Sequence, residues 1–150
     1  MRVFLRDVTV RSYELDAFGH VNHAVYLNYL EPARFDSLEA GGFAPAELAK
    51  NGWAIHVVRV EADYLKPVFR GQVLRIRTQV ERFRNTSMTI SQEIRRVADG
   101  PGADPALRAR VTTVWIGERG RPICIPDQAR RALTGTLPDE TEANAGELDG

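Results

Sequence analysis

A helical stretch that is apolar on most of its sides constrains this chain more than any other feature. The pattern predicts a helix from about His23 to residue 40, ended by a pair of glycines, and its apolar side chains cover more than one stripe. Pro32 lies inside the pattern, where we expect a kink near Glu31 but no break, because apolar positions resume at Ala33. Such a helix is a buried one, so another element must wrap it.

The remaining periodicity supplies strands to cover this helix. Apolar and β-branched residues predict a first strand at 3–12, and alternating patterns predict strands at 53–64, 73–83, 86–97 and 107–116. Turn signals between the later strands indicate consecutive hairpins and therefore an antiparallel sheet. On the strand at 53–64, alternation places His56 on the inward face. The expected class is α+β, with a curved antiparallel sheet of about five strands wrapped around one long central helix.

The length of the chain fits one domain, which we place at residues 1–134. The segment 135–150 is acidic, has no basic residue and few large apolar ones, and is predicted to be a disordered tail. The tail holds five of the 20 acidic residues, so the folded part has an excess of five positive charges. This excess suits an anionic ligand but is weak support for one.

Cysteine usage and hydropathy predict a cytoplasmic protein. Cys124 is the single cysteine, so no intramolecular disulfide can form; its apolar sequence neighbours suggest that it is buried. Arg2, Arg6 and Asp7 interrupt the apolar residues of the N-terminal segment, which therefore does not resemble a signal peptide. No run approaches the ~20 apolar residues of a membrane span.

Several chemistries lack their sequence signatures. The chain has no G-x-S-x-G, no Walker A, no G-x-G-x-x-G and no C-x-x-C motif. Asp16, His20 and His23 are a conceivable set of three metal ligands, but their spacing lacks the further partner usual for zinc, and we expect no metal. For His56, a core histidine satisfied by one hydrogen bond is favoured over a ligand role.

Asp16 is the most informative single residue, because it comes shortly before the predicted helix. The unpaired N–H groups of a helix's first turn favour negative charge there, and the Asn22 side chain is a plausible N-cap. Asp16 is thus placed to attack, or to activate water against, a carbonyl that these N–H groups polarise. On its own, Asp16 is also compatible with a purely structural turn or capping role.

The stretch around Asp16 resembles a known family. Residues 16–34 read D-A-F-G-H-V-N-H-A-V-Y-L-N-Y-L-E-P-A-R, followed later by A-D-Y-L-K-P-V at 62–68 and R-N-T-S at 84–87. These segments are similar to those of hotdog-fold acyl-CoA thioesterases of the 4-hydroxybenzoyl-CoA thioesterase type. The resemblance implies hydrolysis of acyl-CoA to a free acid and CoA without a cofactor. It also implies a homodimer or homotetramer with sites at the dimer interface, and no nucleic acid partner.

The resemblance also suggests roles for individual residues. Asp16 matches the catalytic carboxylate, and His23 matches a histidine at the helix start, where the backbone N–H polarises the thioester carbonyl. Pro32 departs from the usual residue at its position. The candidate substrate-binding residues are Gly19, Asn22, Tyr26 and His56, and the candidate CoA-binding residues are Arg82, Arg84 and Thr86.

Thioester chemistry suits a site with so few groups. A thiol leaving group has a pKa near ~8.5, so its expulsion needs little general-acid help. Whether Asp16 acts as nucleophile or as general base stays open. The main alternative is a non-catalytic acyl-CoA binding or sensing protein on the same fold; a hotdog dehydratase is a weaker option, because its usual histidine-led motif is not visible.

Overall fold

The computed structural model describes residues 1–135, in which five antiparallel strands form one sheet and a long helix packs on it. This confirms the predicted α+β class and the hotdog arrangement of a curved sheet around a central helix. The strands are β1 (Val3–Thr9), β2 (Ala54–Tyr64), β3 (Val73–Phe83), β4 (Ser87–Arg96) and β5 (Leu107–Ile116). The helices are α1 (Val25–Ala40), α2 (Pro45–Lys50) and α3 (Asp127–Thr134).

The strand order is β1-β3-β4-β5-β2, which corrects the expectation of consecutive hairpins. β3, β4 and β5 are a meander, but β2 pairs with β5 at one edge of the sheet while β3 lies near the other. The connection at residues 65–72, which we call the crossover, therefore runs along one end of the sheet. On its way Val68 accepts a hydrogen bond from the Val21 N–H at 2.8 Å. The crossover thus meets the segment that precedes α1.

The predicted inward position of His56 is wrong. A register irregularity between Val57 and Arg59 leaves Val58 unpaired, so the alternation of side chains shifts by one residue within β2. Val60 lies opposite Val111 on the inward face, as expected, whereas His56 pairs with Val114 on the outward face and is exposed. A one-residue shift exchanges the two faces of a strand, which is why strict alternation failed here.

Helix α1 runs unbroken through Pro32, as predicted, and stops before Gly41; the kink expected near Glu31 stays a prediction. Its buried side chains include Tyr26, Tyr29 and Leu30, each at most 5% exposed. The helix is not buried all round, however: Leu27 and Phe35 are 38% and 39% exposed. Within this chain the sheet covers one face of α1, and the opposite face keeps apolar side chains in contact with solvent.

A buried glutamine fixes α1 to the sheet. The Gln92 side chain on β4 is fully buried, and its Nε2 donates to the Leu30 carbonyl and to Thr78 Oγ1, both at 3.0 Å. Its Oε1 accepts a hydrogen bond from Arg34 Nη1 at 3.0 Å. All of the amide's principal hydrogen-bonding groups are used, which removes the cost of burying them. The helix is therefore held at a defined height over β3 and β4.

Two further predictions concern the chain outside this core. Cys124 is exposed, so the expectation that it is buried is wrong; it lies between β5 and α3, where the chain crosses the surface. The predicted acidic tail lies, from residue 136 onward, outside the described residues. Within residues 1–135, no helix has the length and apolar character needed to cross a membrane.

Candidate active site

The segment 15–24, which we call the acid loop, closes on itself before α1 begins. Leu15 and Val21 form an isolated antiparallel bridge, and Asp16 N–H donates to the His20 carbonyl at 2.7 Å. At the tip, Gly19 N–H donates to the Asp16 carbonyl at 3.1 Å, with Gly19 at φ +80°. This backbone conformation is strained for any residue with a Cβ, so glycine is favoured there.

The carboxylate of Asp16 is oriented by the loop that it belongs to. Its Oδ1 accepts the N–H of Phe18 at 2.8 Å and the N–H of His20 at 3.2 Å. Its Oδ2 accepts no hydrogen bond from residues 1–135, and the side chain is half-buried. Asp16 is therefore a turn aspartate, as the simpler interpretation held. The same geometry also fixes one carboxylate oxygen and leaves the other available.

The start of α1 leaves some backbone N–H groups without an acceptor among residues 1–135, and that of His23 is one of them. The Asn22 side chain accepts the N–H of Ala24 at 2.9 Å, as predicted for a capping residue, and the Asn22 carbonyl accepts the N–H of Val25 at 2.9 Å. Asn22 N–H donates to the carbonyl of Glu14 at 2.9 Å. His23 N–H, between them in sequence, meets no acceptor among the described residues. The regular helix begins at Val25, two residues later than predicted.

An open cavity of about 420 Å³ lies beside the acid loop, and it brings Asp16, His23 and Tyr26 together. The crossover and the end of β2 supply the opposite wall. The lining residues are Asp16, His20, Val21, His23, Tyr26, Tyr64, Leu65, Lys66 and Pro67.

Two tyrosines, Tyr26 and Tyr64, line this cavity. Burial raises the pKa of Tyr26 above its usual value, and the neighbouring Tyr64 and Asp16 raise it further, so its hydroxyl stays protonated at neutral pH. The Tyr64 ring meets Tyr26 edge-to-face at 5.4 Å between centroids. The Tyr64 hydroxyl donates to the His23 carbonyl at 2.8 Å. The His20 ring packs in the same way against Phe69 at 5.0 Å.

The other predicted site residues divide into two groups. Gly19 and Asn22 shape the acid loop but do not line the cavity. His56, Arg82, Arg84 and Thr86 lie elsewhere, near the turn that joins β3 to β4, which we call the β3–β4 hairpin (residues 82–87). β3 starts beside the acid loop side of the sheet and rises ~3.3 Å per residue, so its 11 residues separate the two regions by roughly 33 Å. A single chain does not bring these groups together.

Six of the nine residues that line the cavity are not among the predicted site residues: His20, Val21, Tyr64, Leu65, Lys66 and Pro67. The sequence suggests His20 only as a metal ligand and Tyr64 only as one of several aromatic residues that could line a pocket. The signal for Tyr64 and Lys66 is the segment at 62–68, which ends β2 and enters the crossover. Its proximity to Asp16 depends on the strand order, which local patterns do not reveal. Among residues 1–135, no three His, Cys, Asp or Glu side chains cluster closely enough to hold a metal ion.

A curved sheet around a central helix, with a carboxylate beside the helix start, defines a hotdog-fold protein with a helix-terminal carboxylate site. The chain belongs to the thioesterase-like superfamily, whose family model matches residues 10–133.

Relatives agree with this membership. The chain is 33% identical to the long-chain acyl-CoA thioesterase FadM of Escherichia coli, over 91% of this chain and 95% of FadM. It is 30% identical to the chloroplastic acyl-acyl carrier protein thioesterase ATL2 of Arabidopsis thaliana over 83% of this chain, and it spans only 64% of that relative. The crystal structure of the probable thioesterase YbaW from Escherichia coli superposes with a TM-score of 0.76 at 29% identity, covering 87% of this chain and 96% of YbaW.

Proposed function

We propose that this protein is an acyl-CoA thioesterase that hydrolyses an acyl-CoA thioester to a free carboxylic acid and CoA. One observation carries the proposal: the free Oδ2 side of Asp16 and the unsatisfied N–H of His23 belong to residues that line the same cavity. A carboxylate and an N–H donor are the two groups that thioester cleavage requires. The relationship to FadM, which spans nearly the whole of both chains, supports the choice of acyl-CoA.

In the proposed reaction, the thioester carbonyl oxygen accepts the His23 N–H at the positive end of α1. Negative charge that develops on this oxygen in the tetrahedral transition state is stabilised by that donor and by the helix dipole. Asp16 either attacks the carbonyl carbon or takes a proton from an attacking water. In the first case CoA thiolate leaves and water cleaves the resulting mixed anhydride; in the second, water adds directly and the C–S bond then breaks.

We further propose that the complete site forms between two copies of the chain. β2 is an edge strand of 11 residues, and its Val57, Val58 and Val60 are 47%, 60% and 41% exposed. An exposed, apolar edge strand favours pairing with another strand. Antiparallel pairing of β2 with a second β2 would place the β3–β4 hairpin of one copy near the acid loop of the other. Assembly into a tetramer would leave this sharing unchanged.

This arrangement gives the remaining predicted residues a role. The hairpin of the second copy would supply Arg82, Arg84 and Thr86 for the phosphates of CoA, and His56 would lie close by on its β2. Neither arginine has a carboxylate partner among the described residues, so both guanidinium groups are available to an anion. A single free cysteine and a CoA substrate fit the proposed cytoplasmic location.

The test is release of free thiol from a panel of acyl-CoA thioesters with short, long, branched and aromatic acyl groups, with acyl-acyl carrier protein as a further substrate. We expect turnover of at least one acyl-CoA. Asp16→Asn should lower kcat by about 10³-fold, the scale seen when a group acting in the transition state is removed. Asp104→Asn, which changes an exposed loop aspartate without a partner among residues 1–135, should leave kcat unchanged.

Two results would contradict the proposal. Equal turnover by Asp16→Asn and wild type would remove Asp16 from the chemistry. Tight, stoichiometric binding of acyl-CoA without thiol release would instead identify a non-catalytic binding protein on the hotdog fold.

A further inference from the structure

We propose that Tyr64 is a positioning residue that holds the turn at His23 and Ala24 so that the His23 N–H faces the thioester carbonyl. The inference rests on the proposed function and assigns a role to a side chain outside the acid loop. Its basis is the 2.8 Å hydrogen bond from the Tyr64 hydroxyl to the His23 carbonyl, which joins the end of β2 to the start of α1.

The hydroxyl of Tyr64 is directed by the packing of its ring. The ring meets the buried Tyr26 edge-to-face, which restricts the direction in which the hydroxyl points. Tyr64 is nevertheless 49% exposed, so packing of its ring alone does not hold the side chain in place. The hydrogen bond to the His23 carbonyl is what the hydroxyl adds beyond a phenylalanine.

The two peptide groups on either side of His23 are both anchored. The His23–Ala24 peptide group accepts from Tyr64 at its oxygen and donates to the Asn22 side chain at its nitrogen. The Asn22–His23 peptide group accepts from Val25 N–H at its oxygen, while its own N–H, that of His23, has no acceptor among residues 1–135. Because each peptide group is planar, fixing its carbonyl also fixes the plane of its N–H. The Val25 bond therefore sets the plane of the His23 N–H, and the Tyr64 bond fixes the next peptide group, so that Tyr64 acts on the donor by restraining the backbone torsions of His23.

Losing the Tyr64 hydrogen bond should lower kcat, because the His23 N–H is proposed to stabilise the transition state. Removing an oxyanion donor altogether lowers kcat by about 10²–10³-fold. Loosening its support leaves the donor present but less well aligned, so we expect a decrease in kcat of about tenfold for Tyr64→Phe. The N–H acts on charge that develops in the transition state, so KM should change less than about twofold.

The experiment compares Tyr64→Phe with Tyr13→Phe in the full chain. Tyr13 is 79% exposed, and its hydroxyl makes no hydrogen bond to the described residues, so its variant controls for loss of a tyrosine hydroxyl. The measurements are kcat and KM for the best acyl-CoA, the melting temperature, and the ¹⁵N and ¹H shifts of the backbone amides. We expect a lower kcat, an unchanged melting temperature and shifted Ala24 and His23 amides in Tyr64→Phe alone.

Two outcomes would overturn the proposal. A kcat of Tyr64→Phe equal to that of wild type would show that the hydroxyl does not support the donor. Unshifted Ala24 and His23 amides would show that the hydroxyl does not hold the turn. The second readout requires no turnover, so failure of the proposed thioesterase activity would be seen separately in the wild type. Tyr64→Leu, which also removes the ring, should lower the melting temperature as well as kcat.

Discussion

The acid loop and the β3–β4 hairpin were both predicted to contact the substrate, yet they are built in different ways. The acid loop is closed by bonds between residues close in sequence, such as those from His20 N–H to Asp16 Oδ1 and from Asp16 N–H to the His20 carbonyl. The hairpin lies at the far end of β3, roughly 33 Å away for a strand of 11 residues. One chain therefore brings the proposed reacting groups together, but without the residues proposed for CoA.

The polar groups of the two regions are also used differently. In the acid loop, backbone donors satisfy one oxygen of Asp16 and orient the other. At the hairpin, Arg130 of α3 holds the backbone by donating to the carbonyls of Arg84 and Asn85, whereas the guanidinium groups of Arg82 and Arg84 stay exposed. The first region is preorganised for the proposed chemistry, and the second presents charges without a carboxylate partner among residues 1–135, which suits binding of an anion.

Removing charge from the hairpin should affect binding and leave the chemistry intact. For Arg82→Ala/Arg84→Ala we expect KM for acyl-CoA to rise about tenfold with kcat nearly unchanged, because each charge-assisted bond to a phosphate contributes about 1.5–3 kcal/mol before competition with water and salt. The rise should shrink as the salt concentration increases. Steady-state thiol release at two salt concentrations measures this effect.

Arg75→Ala is the matched control for that variant, because Arg75 lies on β3, as Arg82 does, but is paired with Asp7 at 2.9 Å. Its KM should equal that of wild type. A fall in kcat for the hairpin variant, with KM unchanged, would contradict the division between the two regions.

A smaller effect should follow from straining the acid loop. Gly19→Ala places a Cβ at φ +80°, and Gly42→Ala does the same at φ +86° after α1; both sites have open space around the added atom. Each variant should lose about 1 kcal/mol of stability, since a left-handed backbone disfavours residues other than glycine. Only Gly19→Ala should also lower kcat, by several-fold, because it alone disturbs the loop that orients Asp16. Equal kcat values for the two variants would show that the loop need not be rigid.

The smallest effect concerns β1, at one edge of the sheet. Arg75 holds the pKa of Asp7 below its usual value through a hydrogen bond and its charge. A lowered folded-state pKa stabilises the fold above the unfolded-state pKa near ~3.9, and this contribution is lost as the pH falls through the folded-state value. Thermal melts should therefore show Asp7→Asn slightly less stable than wild type at pH 7, with the difference disappearing in acid. A constant difference down to pH 2 would exclude this linkage.

Short-range sequence patterns predict the parts of the structure that neighbouring residues determine. The acid loop, its glycine and the capping by Asn22 follow from neighbouring residues, and the inward faces of β3 and β4 follow from alternation. His56 was assigned to the wrong face because a bulge at Val58 leaves no reliable trace in the pattern. Tyr64 and Lys66 reach the site only through the β2–β3 crossover, which depends on strand order. The relation of the hairpin to Asp16 involves a second chain, whose position no single sequence pattern encodes.

The measurement that most directly tests the shared site is mixing of two defective chains. Asp16→Asn lacks the reacting carboxylate, and Arg82→Ala/Arg84→Ala lacks the hairpin charges. Exchange of subunits would give mixed dimers in which one site combines Asp16 from one chain with an intact hairpin from the other. At low acyl-CoA concentration, we predict thiol release several-fold above the average of the two separate variants. Activity that stays at this average after demonstrated exchange would contradict a site built from both copies.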